Sequence, residues 1–536
     1  MRRRGQVFAS VTMIAVVSLA AAACGGSSKS KSGGTAGGSA STGGGNSGSG
    51  KQVVMGTTDK VISLDPAGAY DMGSWTLQWN IYQALMKIKP GTSDIVNDAA
   101  SKCDWTDNTT YTCKLVPGLV FSNGDPLNAE AVKYSIDRVI KINDPNGPSS
   151  LLASLDNVTT QGDDTVVFKL KSPNAVFPYI LTTGAGNIVD PKVFPADKLL
   201  ADDQVIGSGV YTLSKYTKDQ QAVLLPNKKY KGDDVLANSG FIVHYEQTAS
   251  TLKLDVEQGN VDVAWRSLSP TDVASLKGES DKVKVVTGNG IEIRYMVFNL
   301  NLPPADKVGV RQAIAYLIDR DSIAKNVYNG TVQPLYSMVP QGLAGANTAY
   351  KDLYGAAPDP AKAKAALQQA GVTTPVNITL WWTPSHYGAV SGDEYTEIKR
   401  ELEAGGLFKV DLKSAEWDTY SKAYPADQYA AFQLGWFPDY PDADDYLAPF
   451  YFKGGFFKNH YDNAQVDQLI TQEEGETDKT KRASEIDQIQ TMAAKDVPTI
   501  PIWQGNQVAA TGLTVTGVDK TFDPSYTFRM WLIGKS

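Results

Sequence analysis

The sequence predicts an α/β protein built from more than one lobe. Three observations carry that reading. Short apolar runs bounded by turn residues, such as 166–170, alternate along the chain with segments whose apolar residues recur at helical spacing. The folded part, about residue 51 to 536, is too long for one simple core, which implies two or three lobes. Beyond the first twenty-odd residues no segment has the length and apolarity of a membrane span.

The first 23 residues read as an address rather than fold. Arg2, Arg3 and Arg4 precede a short apolar stretch, 7–20, and Ala21, Ala22 and Ala23 form a small-residue cleavage run. Cys24 follows at once. This resembles a bacterial lipoprotein signal, in which that cysteine becomes the lipidated first residue. The residue three places before the cysteine is Ala21, where that signal prefers leucine, and plain secretion is the alternative. Residues 24–50 read as a lipid-anchored linker. Gly and Ser fill most of it, and such a coil reaches on the order of 25–30 Å.

The formal charge of −8 falls to −11 once the three arginines of the leader are removed, which argues against nucleic acid as a partner. Cys103 and Cys113 flank the turn cluster Asp107, Asn108, Thr109 and Thr110, so a hairpin centred there sets them opposite each other. In an exported protein this pattern predicts a disulfide.

In chain order, Val53, Val54 and Met55 open a strand, and 75–87 reads as a helix containing Trp79, Tyr82, Ala84 and Leu85. Asn128 caps a helix with Val132, Ile136, Val139 and Ile140 on its apolar face, and 166–170 is a strand. A helix over 310–317 buries Val310, Ile314 and Leu317. Asp321 caps the next, which Gly330 closes, and late helices run over 464–473 and 479–494.

One stretch stands apart. Residues 435–447 hold four acids, four aromatics and two prolines, the make-up of a shaped loop rather than a strand or helix. It leaves the buried strand 429–434. A loop so placed, carrying ring faces and carboxylates, is suited to hold a ligand. Asp439 is the acid expected to meet a solute's positive group, while Asp442, Asp444 and Asp445 are expected to cap a helix starting near Tyr446.

Ordered motifs then carry a family resemblance. Ser63-Leu64-Asp65-Pro66 is followed by the hairpin, by Phe121-Ser122-Asn123-Gly124-Asp125-Pro126-Leu127, and by Ile136-Asp137-Arg138. Gly207-Ser208-Gly209-Val210-Tyr211, Gln258-Gly259-Asn260-Val261-Asp262, Phe298-Asn299, Val310-Arg311-Gln312-Ala313-Ile314, Glu416-Trp417, Gly435-Trp436 and Val497-Pro498 come next in order. Together they resemble the family 5 solute-binding proteins, the extracytoplasmic receptors of peptide, nickel and oligosaccharide ABC importers. Ala131, where the family often has an acid, and the cysteine pair depart from it.

The resemblance implies a periplasmic-binding-protein-like type II fold: two hinged α/β lobes plus an additional lobe, with the ligand cleft between lobes. Lobe I would gather 51–93, 206–292 and 506–536; the additional lobe II, 94–205; lobe III, 293–505. Crossings near 294–300 and 500–506 would form the hinge. It further implies a monomeric receptor handing a peptide to ABC permease subunits, without a cofactor. Asp439, in the Trp-x-x-Asp-Tyr block, would pair with a peptide's α-ammonium, because an unpaired charge in a closed cleft is costly. The expected walls are Trp436, Tyr440, Trp417, Trp381, Trp382, Tyr387 and Trp265. Indole faces also suit sugars, so an oligosaccharide ligand is the alternative, and a secreted hydrolase the competitor from another class. Nickel is less favoured, because neither His386 nor His460 has a supporting ligand pattern.

Enzyme signatures are lacking in the sequence. His244, His386 and His460 lie far apart, and neither a His-Glu-x-x-His helix nor a Gly-x-Ser-x-Gly elbow occurs in the folded region. Asp439-x-x-Asp442-x-Asp444 lacks the turn glycine and distal glutamate of a calcium loop.

Overall fold

The computed structural model describes residues 50–536; the leader, Cys24 and nearly all of the linker lie outside the described residues. An eleven-stranded mixed sheet forms the spine. Its centre is a long antiparallel pair, Val283–Phe298 and Thr499–Gly512, running from Val283 opposite Gly512 to Val297 opposite Thr499. On one side of this pair the sheet continues through Val263–Trp265, Val53–Thr57, Phe241–Tyr245, Gln221–Pro226 and Tyr211–Thr217. On the other side lie Ala431–Trp436, Val376–Trp382 and Phe408–Ser414. Separate apolar clusters pack against these two portions, one containing Val53, Tyr211 and Trp531, the others Phe298, Ile314 and Leu380, or Tyr295, Phe432 and Tyr446.

The central ladder slips register between Asn289 and Ile293. Side chains occupy the backbone groups freed there. The Tyr526 hydroxyl accepts from the amides of Ile291 and Glu292, each at 3.0 Å, and Gln507 Nε2 donates to the Asn289 carbonyl at 2.9 Å. Such satisfaction lets a bulge persist inside a buried ladder.

A four-stranded antiparallel sheet, Ala100–Asp107, Thr110–Leu115, Thr165–Leu170 and Leu155–Gln161, has its own core with the helix Ala129–Ile142. Cys103 and Cys113 are register partners on its hairpin and form a disulfide. Asn128 caps that helix through the Ala131 amide. Val132, Ile136 and Val139 are buried, but Ile140, expected on the same face, is 43% exposed.

Other elements differ from expectation. The helix expected over 75–87 spans Met72–Ile81, because Asp71 caps it early and Tyr82 turns extended. Met86–Ile88 then pairs as a strand with Ile95–Asn97. Asp319, rather than Asp321, caps the turn starting at Arg320, by accepting from the Ser322 amide. Asp65 and Arg138, from two of the ordered motifs, form a buried two-pronged ion pair with bonds of 2.7 and 2.6 Å. The late helices are Ala464–Gly475 and Lys479–Asp496.

Candidate functional site

A cavity of about 590 Å³ opens beside the central ladder. Segments far apart in sequence build it. The turn before the helix Met72–Ile81 brings Tyr70 and Asp71, and the end of the strand Val263–Trp265 brings Arg266. The slipped ladder brings Glu292 and Arg294. His386, Tyr387, Trp417 and the loop with Trp436, Phe437 and Asp439 complete the wall.

The strand Ala431–Trp436 delivers the loop, and Pro438 precedes Asp439 to fix its course. Asp445 shapes it from behind, accepting from Trp436 Nε1 and from the Asp439 amide, each at 3.0 Å. The Asp439 carboxylate accepts from the Tyr70 hydroxyl at 2.5 Å, and among the described residues it forms no ion pair. Burial pushes its pKa up to about 6, against the lowering effect of the Tyr70 bond. Asp445 is raised well above the ordinary carboxylate range, by burial and then by Asp439.

Both guanidiniums in the cavity already have partners. Arg266 reaches Asp59 at 2.9 Å and lies 4.8 Å over the Phe437 ring. Arg294 reaches Glu292 at 2.6 Å and lies 4.4 Å over the Tyr387 ring. Burial opposes both charges, and nearby carboxylates outweigh it, keeping both above the ordinary arginine value. The His386 ring stacks on Trp417 at 3.9 Å; burial, then Arg294, pushes its pKa down to about 4, so it is neutral at pH 7. Gly435 allows Arg294 its place, since a Cβ there would meet Arg294 Nη1 at 2.5 Å.

Four of the eight expected ligand residues, Asp439, Trp436, Trp417 and Tyr387, share this cavity. The other four do not, which corrects the expected wall. Trp265 is 1% exposed and stacks on Phe528 at 4.2 Å, because strand alternation turns it into the core. Tyr440 turns away from Asp439 to stack on Tyr179 at 6.1 Å and donate to Asp444. Trp381 stacks on Tyr429 at 4.1 Å beside a different groove, and Trp382 packs over Gly392.

The neighbouring acids are also not simple helix caps. Asp442 accepts from the Asp444 amide, but its carboxylate is paired in two bonds with Arg482, at 2.9 and 2.6 Å. Arg482 also meets the fully buried Glu473 at 2.9 Å.

Tyr70, Asp71, Arg266 and Glu292 are wall residues that sequence reasoning did not single out, while Arg294 was expected at the hinge and His386 only as a disfavoured nickel ligand. For Glu292 and Arg294 a signal existed. Ile291, Ile293 and Tyr295 alternate with them, which places both polar side chains on one strand face.

Comparison with known proteins agrees with this architecture. Residues 94–458 match the family described as "Bacterial extracellular solute-binding proteins, family 5 Middle". The chain is similar to the "Probable D,D-dipeptide-binding periplasmic protein DdpA" of Escherichia coli (strain K12), 26% identical over 493 residues that cover 87% of this chain and 90% of that protein. It is similar to the glutathione-binding protein GsiB of Pectobacterium atrosepticum, 25% identical over 497 residues, covering 89% of this chain and 93% of the other. Its fold is similar to that of the ABC transporter-associated periplasmic binding protein DppA from Helicobacter pylori in complex with peptide STSA. There the TM-score is 0.74 at 22% identity, over 91% of this chain and 98% of the other. With most of its length matched and a periplasmic-binding-protein type II fold around the cavity, the chain belongs to family 5 of the bacterial extracellular solute-binding proteins.

Proposed function

We propose that this protein is the extracytoplasmic receptor of an ABC importer, that it captures peptides in this cavity, and that Asp439 pairs with the peptide's α-ammonium. The observation that carries the reading is Asp439 itself. It is a half-buried carboxylate among Trp436, Phe437 and Tyr70, hydrogen-bonded to a neutral phenol and without an ion pair among the described residues. A ligand ammonium supplies the missing counter-charge. The similarity to dipeptide- and glutathione-binding proteins supports peptides over oligosaccharides.

In this reading lobe I (51–93, 206–292 and 506–536) and lobe III (293–505) close over the peptide, with lobe II (94–205) attached. The chain bends at 294–300 and 500–506. Cys24 carries the lipid, residues 24–50 form the leash, and the loaded monomer docks on the permease. Calorimetric titration with di- and tripeptides and with oligosaccharides tests the ligand class. Peptide binding is expected, with a loss of about 2–5 kcal/mol in Asp439→Ala. Undiminished peptide affinity in that variant sinks the Asp439 assignment, and rapid cleavage of the peptide sinks the receptor reading. Mass spectrometry of the protein from membranes, with and without Cys24→Ser, tests the lipid.

A further inference from the structure

We propose that the cavity selects ligands of net positive charge, so that the favoured peptides carry a lysine or arginine side chain besides the α-ammonium. This deepens the peptide reading above and rests on it.

The walls carry three carboxylates, Asp71, Glu292 and Asp439, and two guanidiniums, Arg266 and Arg294. Glu292 neutralises Arg294 at 2.6 Å. Arg266 is neutralised at 2.9 Å by Asp59, which is not a wall residue. Among the described residues Asp439 and Asp71 are left without a cation. Asp71 uses Oδ1 to accept from the Ser74 amide at the helix start, and its buried Oδ2 has no hydrogen-bond partner among the described residues. Burial raises the Asp71 pKa and Asp59 adds to it, as for a carboxylate short of counter-charge.

Among the described residues no other lining group closes the gap. His386 is neutral at pH 7. A single α-ammonium matches one of the two acids, and a second cationic group is needed for the other. The lining is aromatic as well as acidic, with Tyr70 and Trp436 among its residues, and aromatic rings attract cations. A ligand carboxylate, by contrast, meets guanidiniums that are already occupied. Acidic peptides are therefore disfavoured.

The test is calorimetric titration of the whole protein with Lys-Ala, Ala-Ala and Ala-Glu at low salt, followed by the same series on Asp71→Asn. Asparagine keeps a good helix cap, so this variant changes charge with little cost to the fold. Lys-Ala is expected to bind about tenfold or more tighter than Ala-Ala, and Ala-Glu weakest. Asp71→Asn should weaken Lys-Ala about tenfold more than Ala-Ala, a selective loss that a merely structural role would not produce. If Ala-Ala or Ala-Glu binds as tightly as Lys-Ala, the charge inference falls and the peptide reading stands. If no peptide binds, the peptide reading falls, and titration with 1,4-diaminobutane against maltose decides the charge inference. Diamine binding that Asp71→Asn weakens upholds it, and preference for the neutral sugar overturns it.

Discussion

Tyr70 and Asp439, 369 positions apart in sequence, are joined by a 2.5 Å hydrogen bond at the rim of the cavity. The phenol donates and the carboxylate accepts, so the bond favours the charged acid against the burial that disfavours it. Tyr70→Phe removes that support. The Asp439 pKa should then rise further above about 6, which NMR titration of labelled aspartate would read. An unchanged titration would mean that the bond does not form in solution.

Ligand affinity should depend on pH through the same group. An ammonium needs the carboxylate form, so binding should weaken as pH falls through about 6, by about tenfold per unit below it. Stability of the ligand-free protein should run the other way. The Asp439 pKa is raised on folding from 3.8 to about 6, so its contribution is fully present below about pH 4 and lost as pH rises through 6. Dissociation constants and urea midpoints between pH 4 and 8 check both, and a flat binding profile would remove Asp439 from the ligand.

Asp65→Ala should destabilise the fold by about 3–5 kcal/mol, because it strands the buried Arg138 guanidinium. The Leu200 and Ala67 amides lose their acceptor as well. Neither residue lines the cavity, so peptide affinity of the folded fraction should hold. Denaturant melts paired with titration separate the two effects.

Arg482→Ala should also cost about 3–5 kcal/mol, since the buried Asp442 carboxylate loses its two-bond cation. Burial, then Asp444, already pushes Glu473 up to about 10 with Arg482 present. The loss is read as the shift in urea midpoint of the variant against the parent protein. An equal loss in Arg482→Lys would point to packing and geometry rather than charge.

The loop around Asp439 was legible because, Tyr70 apart, residues that shape it are near in sequence: Trp436, Phe437 and Asp445 all lie within six positions. The α/β class was legible from the alternation of periods. What escaped was contact made through the sheet. Arg266 enters the site because Val263–Trp265 pairs with Thr499–Gly512, and no local pattern announces that pairing. Tryptophan content misled for the same reason. Trp265 and Trp381 are as aromatic as Trp436, but strand direction and cross-strand partners decide which face each takes. The Asp319 cap was missed by two positions, because either acid satisfies the local rule and only backbone angles choose between them.

The slipped register at Asn289–Ile293 leaves a mark on the whole assembly. Two long strands run together through the middle like the leaves of a spring, and their bonding is interrupted beside Glu292. If the lobes close as proposed, movement along this pair would tilt Glu292 and Arg294 against the Asp439 loop and so change the hold on a peptide between them.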